Sequence, residues 1–209
     1  MIASQEVMIV RHPQTELNAA GCYLGRGDSP LTETGREQLR WLEQVVAFFQ
    51  PEVTLSSPLG RALDAARALT PEGVELRVLD DLQEADFGEA EGHTYDELTK
   101  LGIRLDYQSG GPIAPGGETG DEFTARVLRA AVSVEACGCP TLVVTHGGVM
   151  RRLIVHWLRL PDLAAWRFDV PNGSAAVLRL CEGSAVLEEL SRPPSESRRK
   201  SRRCKPWHL

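Results

Sequence analysis

Short apolar runs alternate along this chain with segments in which apolar residues recur every three or four positions. The short runs are of the kind expected for strands that are buried on both faces of a sheet, and they lie at residues 6–10, 53–55, 74–79 and 141–145. Two further runs, 175–180 and 185–190, flank Glu182 and Gly183, which predicts a hairpin that ends the folded part of the chain.

The segments with a three-to-four-residue period predict helices, and several carry recognisable first turns. Thr34 with Glu37, Thr94 with Glu97 and Thr119 with Glu122 have the spacing of capping boxes, so we expect a helix to follow each threonine. The first of these helices should end near Pro51, where proline cannot continue it.

Two more helix starts follow predicted strands directly. Ser57 and Pro58 offer an N-cap and a proline for the first helical position, which places Arg61 in the first turn. Another helix is expected from about residue 149 to 158, after His146-Gly147-Gly148.

Alternation of strands with helices predicts an α/β fold, a three-layer α/β/α sandwich with a mainly parallel central sheet, in one domain over residues 1–190. Ligands of such sheets bind beyond the carboxyl ends of the strands. Three predicted strands run into Arg11-His12, into Ser56-Ser57 ahead of Arg61, and into His146. We therefore expect these side chains to share one edge.

Composition adds limits on partners. The 209 residues carry a net charge of −6, but residues 191–209 contribute +6 and residues 1–190 contribute −12. An acidic body argues against nucleic acid as the main partner. The basic segment 191–209 has little apolar content, so it is predicted to be a disordered C-terminal tail.

The sequence also gives expectations about the location of the protein and about metal binding. No run approaches the ~20 apolar residues that span a bilayer, and no secretory signal is visible at the N-terminus, so we expect a cytoplasmic protein without membrane association. The five cysteines are scattered without metal-ligand spacing, which favours free thiols, and they are Cys22, Cys137, Cys139, Cys181 and Cys204.

Taken together, six ordered blocks of the chain resemble the histidine phosphatase superfamily, which includes cofactor-dependent phosphoglycerate mutases and many small-molecule phosphatases. The resemblance covers residues 7 to about 180. The blocks are VRHPQTELN (10–18), LGRGDSPLTETG (24–35), SSPLGRALDAA (56–66), LQEADFGEAEGHTYDEL (82–98), PGGET (115–119) and VTHGGVMRRL (144–153).

This resemblance implies a catalytic set built around a phosphorylated histidine. His12 would attack phosphorus and carry the phosphoryl group, while Arg11, Arg61 and His146 would bind its oxygens. Glu84 corresponds to the family's acid and base, protonating the leaving alcohol and then activating water.

The resemblance also indicates substrate-binding residues, at Asn18, Gly25 and the backbone around Gly147. The expected ligand is a small-molecule phosphate ester, and neither a metal nor an organic cofactor is required. A homodimer is left open.

One departure from the family pattern concerns the residue after the nucleophilic histidine. The family usually has glycine there, whereas this chain has Pro13, which lacks an amide donor and fixes φ. The loop geometry or one phosphate contact is therefore expected to differ. A non-catalytic phosphate-binding module is the alternative that this departure suggests.

Within the family, the sequence favours a phosphatase over a mutase. Residues 99–118 are rich in glycine and contain only Lys100 and Arg104 as basic residues, whereas mutases usually carry a longer basic insertion there. GCYLGRGDSPLT and ADFGEAEGHTYDEL look like α-ribazole-5′-phosphate phosphatases and their broad-specificity neighbours. The substrate itself is not fixed by these blocks, because variable loops build the pocket walls.

Overall fold

A six-stranded sheet forms the centre of the computed structural model, which describes residues 4–107 and 110–194. The strands are Ser4–Arg11 (β1), Val53–Ser56 (β2), Glu75–Val78 (β3), Thr141–Thr145 (β4), Ala175–Cys181 (β5) and Ser184–Ser191 (β6). Their order is β3-β2-β4-β1-β5-β6. The first four strands are mutually parallel, and the β5–β6 hairpin pairs antiparallel to β1. The mainly parallel sheet and the terminal hairpin are thus confirmed.

Helices cover both faces of this sheet. They are Glu16–Ala20 (α1), Glu33–Phe49 (α2), Gly60–Leu69 (α3), Tyr95–Leu101 (α4), Gly120–Glu135 (α5) and Gly147–Trp157 (α6). Short 3₁₀ segments span Asp80–Leu82, Gly88–Ala90 and Asp162–Arg167. α2 and α3 pack on one face, and α5 and α6 pack on the other. The predicted three-layer sandwich is confirmed.

The central strand β1 shows why its sequence is an uninterrupted apolar run. Val7 and Ile9 face the α5–α6 layer, while Met8 and Val10 face the α2–α3 layer. All four are at most 3% exposed. Side chains alternate along a strand, so burial on both faces requires apolar residues at every position. Each such side chain contributes roughly 1.5–3 kcal/mol.

The start of α2 corrects one prediction. Its N-cap is Thr32, whose hydroxyl oxygen accepts the Gly35 N–H at 2.9 Å, so the helix begins before Thr34 and the predicted capping box with Glu37 does not form. The Thr32 hydroxyl also donates to the Gln14 side chain at 3.0 Å. A tertiary contact with the loop after β1 therefore selects the cap.

The start of α3 is also two residues from the prediction. Leu59 is the N-cap and Gly60 the first helical residue, although Arg61 does lie in the first turn. Asp28, from a distant loop, accepts the Arg61 N–H at 3.1 Å. The hydroxyl of Ser57 lies 2.8 Å from His146 Nε2 and accepts the Leu59 N–H at 3.3 Å, before the helix begins. The boxes at Thr94 and Thr119 are confirmed.

Two further predictions concern the C-terminal tail and membrane-spanning segments. The predicted tail falls mainly on residues 195–209, which lie outside the described residues, so its disorder and the boundary at residue 190 stay predictions. Among residues 4–107 and 110–194, no helix is long and apolar enough to cross a membrane.

We expect Leu142→Ala to reduce the free energy of unfolding by about 2–5 kcal/mol, because Leu142 is fully buried on β4 and the change leaves a cavity. Urea unfolding followed by circular dichroism measures the loss. Val186→Ala on the edge strand β6, where the side chain is 47% exposed, should cost less than about 1 kcal/mol. Equal losses would contradict this account of the core.

Candidate active site

Two histidines meet at the carboxyl edge of the sheet because their strands are neighbours. His12 follows β1 and His146 follows β4, and the His12 N–H donates to the Thr145 carbonyl at 2.9 Å, which extends the ladder to the site. The ring centroids lie 5.1 Å apart with an interplanar angle of 60°. His12 is 3% exposed and His146 is fully buried.

Hydrogen bonds fix the proton of the His12 ring on one nitrogen. Nδ1 lies 2.8 Å from the carbonyl oxygen of Pro13. A carbonyl only accepts, so Nδ1 carries the hydrogen. Nε2 therefore carries the lone pair, and it accepts from Arg61 Nε at 3.3 Å. The carbonyl of Pro13 makes this contact, so the missing amide of proline does not affect it.

Burial and neighbouring cations keep both rings neutral. The pKa of His12 is lowered well below its ordinary 6.5, first by desolvation and then by Arg61 and Arg11. The pKa of His146 is lowered in the same way, again with burial as the largest cause. A neutral imidazole retains a nucleophilic nitrogen, so this environment suits nucleophilic chemistry at His12.

Within the described residues, one ring nitrogen of His146 has a hydrogen-bond partner and the other has none. Its Nε2 lies 2.8 Å from the Ser57 hydroxyl. Its Nδ1 is buried and has no hydrogen-bond partner within the described residues. Leaving such an atom unsatisfied costs about 1–3 kcal/mol, so this position favours a bound polar ligand.

Arg11 lies against the start of α6. Its Nη1 donates to the Val170 carbonyl at 2.8 Å, and its buried Nε has no partner within the described residues. Burial, followed by repulsion from Arg151, lowers the pKa of Arg11 to about 10. A Cβ at Gly147 would lie 3.1 Å from Arg11 Cζ, so glycine allows the guanidinium to pack on the helix backbone.

Arg61 holds a loop as well as facing His12. Its Nη2 donates to the Gly25 carbonyl at 2.7 Å, and its Nη1 donates to the Gly27 carbonyl. The guanidinium is therefore oriented by backbone oxygens, with its Nε directed at the His12 ring.

Glu84 is the acidic residue that the structure brings to this cluster. It is 8% exposed, and its carboxylate accepts from the Ala85 N–H at 3.0 Å and from the Gly148 N–H at 2.9 Å. A Cβ at Gly148 would lie 2.3 Å from Glu84 Oε1, so this close approach requires glycine. Burial lowers the pKa of both Arg11 and Arg61, and the charge of Glu84 offsets part of that lowering.

Asn18 is half-buried and Gly25 is buried. Asn18 Oδ1 accepts from Asn172 Nδ2 at 3.0 Å. The Gly25 N–H donates to the Glu91 carboxylate at 3.1 Å, so its amide is engaged in holding the loop. Substrate contacts from both residues remain predictions.

Sequence reasoning missed two neighbours of the catalytic set. Arg151 donates to the Gly147 carbonyl at 3.2 Å, and it could have been found because it lies one helical turn after Gly147. Asn172 lies within 3.4 Å of the His12 carbonyl, and only the return of the chain into β5 brings it there. In the described ranges, no three His, Cys, Asp or Glu side chains converge as a metal site.

The fold and the site together define a class of protein. Buried arginines, two neutral imidazoles and one carboxylate at the carboxyl edge of a parallel sheet are suited to transferring a phosphoryl group. More specifically, the chain belongs to the histidine phosphatase superfamily, since the profile of that superfamily (branch 1) matches residues 7–192.

Relatives with assigned names support the same class. The adenosylcobalamin/alpha-ribazole phosphatase of Salmonella typhimurium is 34% identical over 192 residues, covering 88% of this chain and 94% of that protein. A probable phosphoglycerate mutase of Photorhabdus laumondii is 36% identical, covering 81% and 82%. The structure of the alpha-ribazole phosphatase from Shigella flexneri superposes with a TM-score of 0.81 at 26% identity, covering 90% and 97%. The chain is accordingly a phosphoric monoester hydrolase of the histidine phosphatase type.

We expect the His12 and His146 rings to stay neutral well below pH 6.5 in phosphate-free buffer, because burial and the arginines lower both pKa values. ¹⁵N chemical shifts during a pH titration measure this, with signals assigned by His12→Asn and His146→Asn. The unfolded chain in urea should titrate near pH 6.5 and serves as the control. Folded rings that also titrate near 6.5 would contradict the assignment.

The same pKa shifts predict how stability depends on pH. Above pH 6.5 the rings are neutral in both the folded and the unfolded chain, so their titration does not reduce the free energy of unfolding. Below pH 6.5 the unfolded chain takes up protons that the folded protein excludes, so each ring lowers the free energy of unfolding by up to about 1.4 kcal/mol per pH unit. The midpoint of urea unfolding, measured from pH 7.5 to 5.5, should fall as the pH falls, and a midpoint that rises would contradict this prediction.

Proposed function

We propose that this chain hydrolyses a small phosphate monoester in two steps through a phosphohistidine on His12. The observation that carries the proposal is the state of the His12 ring. The Pro13 carbonyl oxygen, 2.8 Å from Nδ1, holds the hydrogen on that nitrogen, so Nε2 carries the lone pair, which attacks phosphorus once the contact from Arg61 Nε is given up. A neutral ring with a fixed tautomer is prepared for nucleophilic catalysis.

In the first step, a bond forms between His12 Nε2 and phosphorus as the ester P–O bond breaks. Glu84 in its protonated form gives its proton to the departing alkoxide oxygen. In the second step, the ionised Glu84 takes a proton from water as the water oxygen bonds to phosphorus. The P–N bond then breaks and inorganic phosphate leaves.

Charge around the phosphoryl group comes from fixed donors. Arg11 Nε and His146 Nδ1 are buried without partners within the described residues, so both can donate to phosphate oxygens without breaking an existing contact. Arg61 adds a cation beside Nε2. Preorganised donors of this kind stabilise the charge of the transition state.

The alternative of a non-catalytic phosphate-binding module rested on Pro13. Pro13 lacks the amide donor, but its carbonyl still orients the His12 ring, and the groups required for chemistry surround His12. Hydrolysis is therefore the better proposal.

Incubation with a ³²P-labelled phosphomonoester and rapid acid-free quenching should trap label on the wild-type protein, and His12→Ala should carry none. The bond is acid-labile and base-stable, as expected for a P–N linkage. His156→Ala, at a half-exposed histidine on α6, is the matched control and should label normally. Undiminished label on His12→Ala would remove His12 as the nucleophile.

For the substrate, we propose α-ribazole 5′-phosphate, a nucleoside phosphate with a planar base. Relatives named as alpha-ribazole phosphatases support this choice. An aromatic wall supports it independently: the Tyr107 and Trp166 rings are 5.0 Å apart, and Arg151 Cζ lies 6.0 Å from the Trp166 centroid. Arg151 also donates to the Gly147 carbonyl at 3.2 Å, so it links the Trp166 ring to the start of α6. Planar bases stack on such groups.

We expect Tyr107→Leu to lower kcat/KM for α-ribazole 5′-phosphate about tenfold, corresponding to the ~1.4 kcal/mol of one lost aromatic contact. Turnover of glycerol phosphate and 3-phosphoglycerate should change less than about twofold, since neither has a ring to stack. Phe48→Leu, at a surface position that is 90% exposed, is the control. Equal losses on all three esters would reject the stacking role.

A further inference from the structure

A buried ion pair lies behind Glu84 and takes no part in the chemistry proposed above. Arg126 on α5 is 7% exposed. Its Nε and Nη2 donate to the two carboxylate oxygens of Glu118 at 2.9 and 2.6 Å, a bidentate arrangement. Arg126 also packs over the Phe123 ring, with Cζ 4.8 Å from the centroid.

The same guanidinium binds the backbone that carries Glu84. Arg126 Nη2 donates to the Glu84 carbonyl at 2.8 Å, and Nη1 donates to the carbonyls of Gln83 and Asp81 at 2.5 and 3.2 Å. Every nitrogen of the guanidinium is therefore engaged, either by Glu118 or by this segment.

The partner carboxylate binds the other side of Glu84. Glu118 Oε1 accepts from the Asp86 N–H at 2.7 Å. The backbone before and after Glu84 is consequently fixed by one ion pair, with Arg126 on the carbonyls and Glu118 on the amide.

Glu84 needs such support because its segment has no regular structure. One 3₁₀ turn ends at Leu82 and the next begins at Gly88, so residues 83–87 receive no helix or strand ladder. Buried carbonyls in an irregular segment must find donors elsewhere. A planar group with five N–H donors serves several carbonyls at once, which the single ammonium of lysine cannot do in the same geometry.

A contribution to stability alone is a poor explanation for this pair. Removing two charges from water costs about as much as their attraction returns, so buried ion pairs add little net stability compared with apolar residues. What the pair does provide is a fixed direction for each hydrogen bond.

We propose that the Arg126–Glu118 pair positions Glu84 for proton transfer to the leaving alcohol. Arg126 and Glu118 are positioning residues, since neither is placed in contact with the substrate. The inference depends on the proposed role of Glu84 as acid and base. It adds that the geometry of this acid is set by Arg126 on α5 and by Glu118 just before that helix, neither of which takes part in the chemistry.

The test uses leaving groups that differ in their need for a proton. Release of 4-nitrophenolate needs no acid, whereas release of an alkoxide from glycerol phosphate does. We measure alcohol release in a single turnover, which isolates the first step. For Arg126→Lys and Glu118→Gln, the rate with glycerol phosphate should fall at least tenfold more than the rate with 4-nitrophenyl phosphate.

Two reference variants make the outcomes distinct. Glu84→Gln sets the full selectivity that loss of the acid produces. Arg129→Lys is the matched control on the same helix, because Arg129 pairs with Asp81 at 2.7 Å but its side chain is 63% exposed and touches no carbonyl of Glu84. It should show no selectivity. Glu118→Gln, which preserves side-chain volume, carries the test if Arg126→Lys does not fold.

Each result decides between positioning and general support of the fold. The inference is supported if glycerol phosphate is slowed more than 4-nitrophenyl phosphate in Glu84→Gln, in Arg126→Lys and in Glu118→Gln. If only Glu84→Gln shows this selectivity, and Arg126→Lys and Glu118→Gln slow both esters equally, the inference is overturned and the proposed function is left intact. No selectivity in any variant removes Glu84 as the acid, which overturns the inference and that step of the proposed mechanism, while labelling of His12 still tests the phosphohistidine.

Discussion

Positive charge buried at the carboxyl edge of the sheet is the constraint on which this structure depends. Arg11, Arg61 and Arg151 all lie within the electrostatic range of Glu84, and burial is the largest cause of the lowered pKa of each. Desolvated guanidinium groups are costly unless their hydrogens are bonded. Backbone carbonyls meet much of that need, and a phosphate dianion would meet the rest. Burial, followed by the charges of Arg61 and Arg11, also lowers the pKa of His12, so the buried cations contribute to keeping the nucleophile neutral.

The loops around the pocket are held by side chains that bond to the backbone. Glu91 accepts the N–H groups of Gly25, Arg26 and Gly27, and Arg61 donates to carbonyls of the same loop. Arg126 and Glu118 hold the Glu84 segment in the same manner. Irregular segments lack internal ladders, so charged side chains fix their shape, with Arg61 and Arg126 on helices and Glu91 and Glu118 in loops. The positions of the pocket loops and of the Glu84 segment are therefore fixed by side chains that, except for Arg61, lie outside the group of residues proposed to carry the chemistry.

Most of the fold and the central chemical groups could be predicted from the sequence. Uninterrupted apolar runs mark β1 and β4 because both faces of those strands are covered, and strand ends at His12 and His146 follow from the parallel arrangement. The capping boxes at Thr94 and Thr119 form as local contacts. The helix starts near Thr34 and Ser57 were misplaced because distant residues, Gln14 and Asp28, bond there.

Local patterns and the order of residues are sufficient to predict the period of each element, the family and the groups that meet at the sheet edge. The tautomer of His12, the approach of Glu84 to Gly148 and the Arg126–Glu118 contacts behind it follow only from the folded chain. Those features depend on distances between segments far apart in the chain. Local periodicity carries no information about such distances, since they are set by how the two helical layers pack on the sheet.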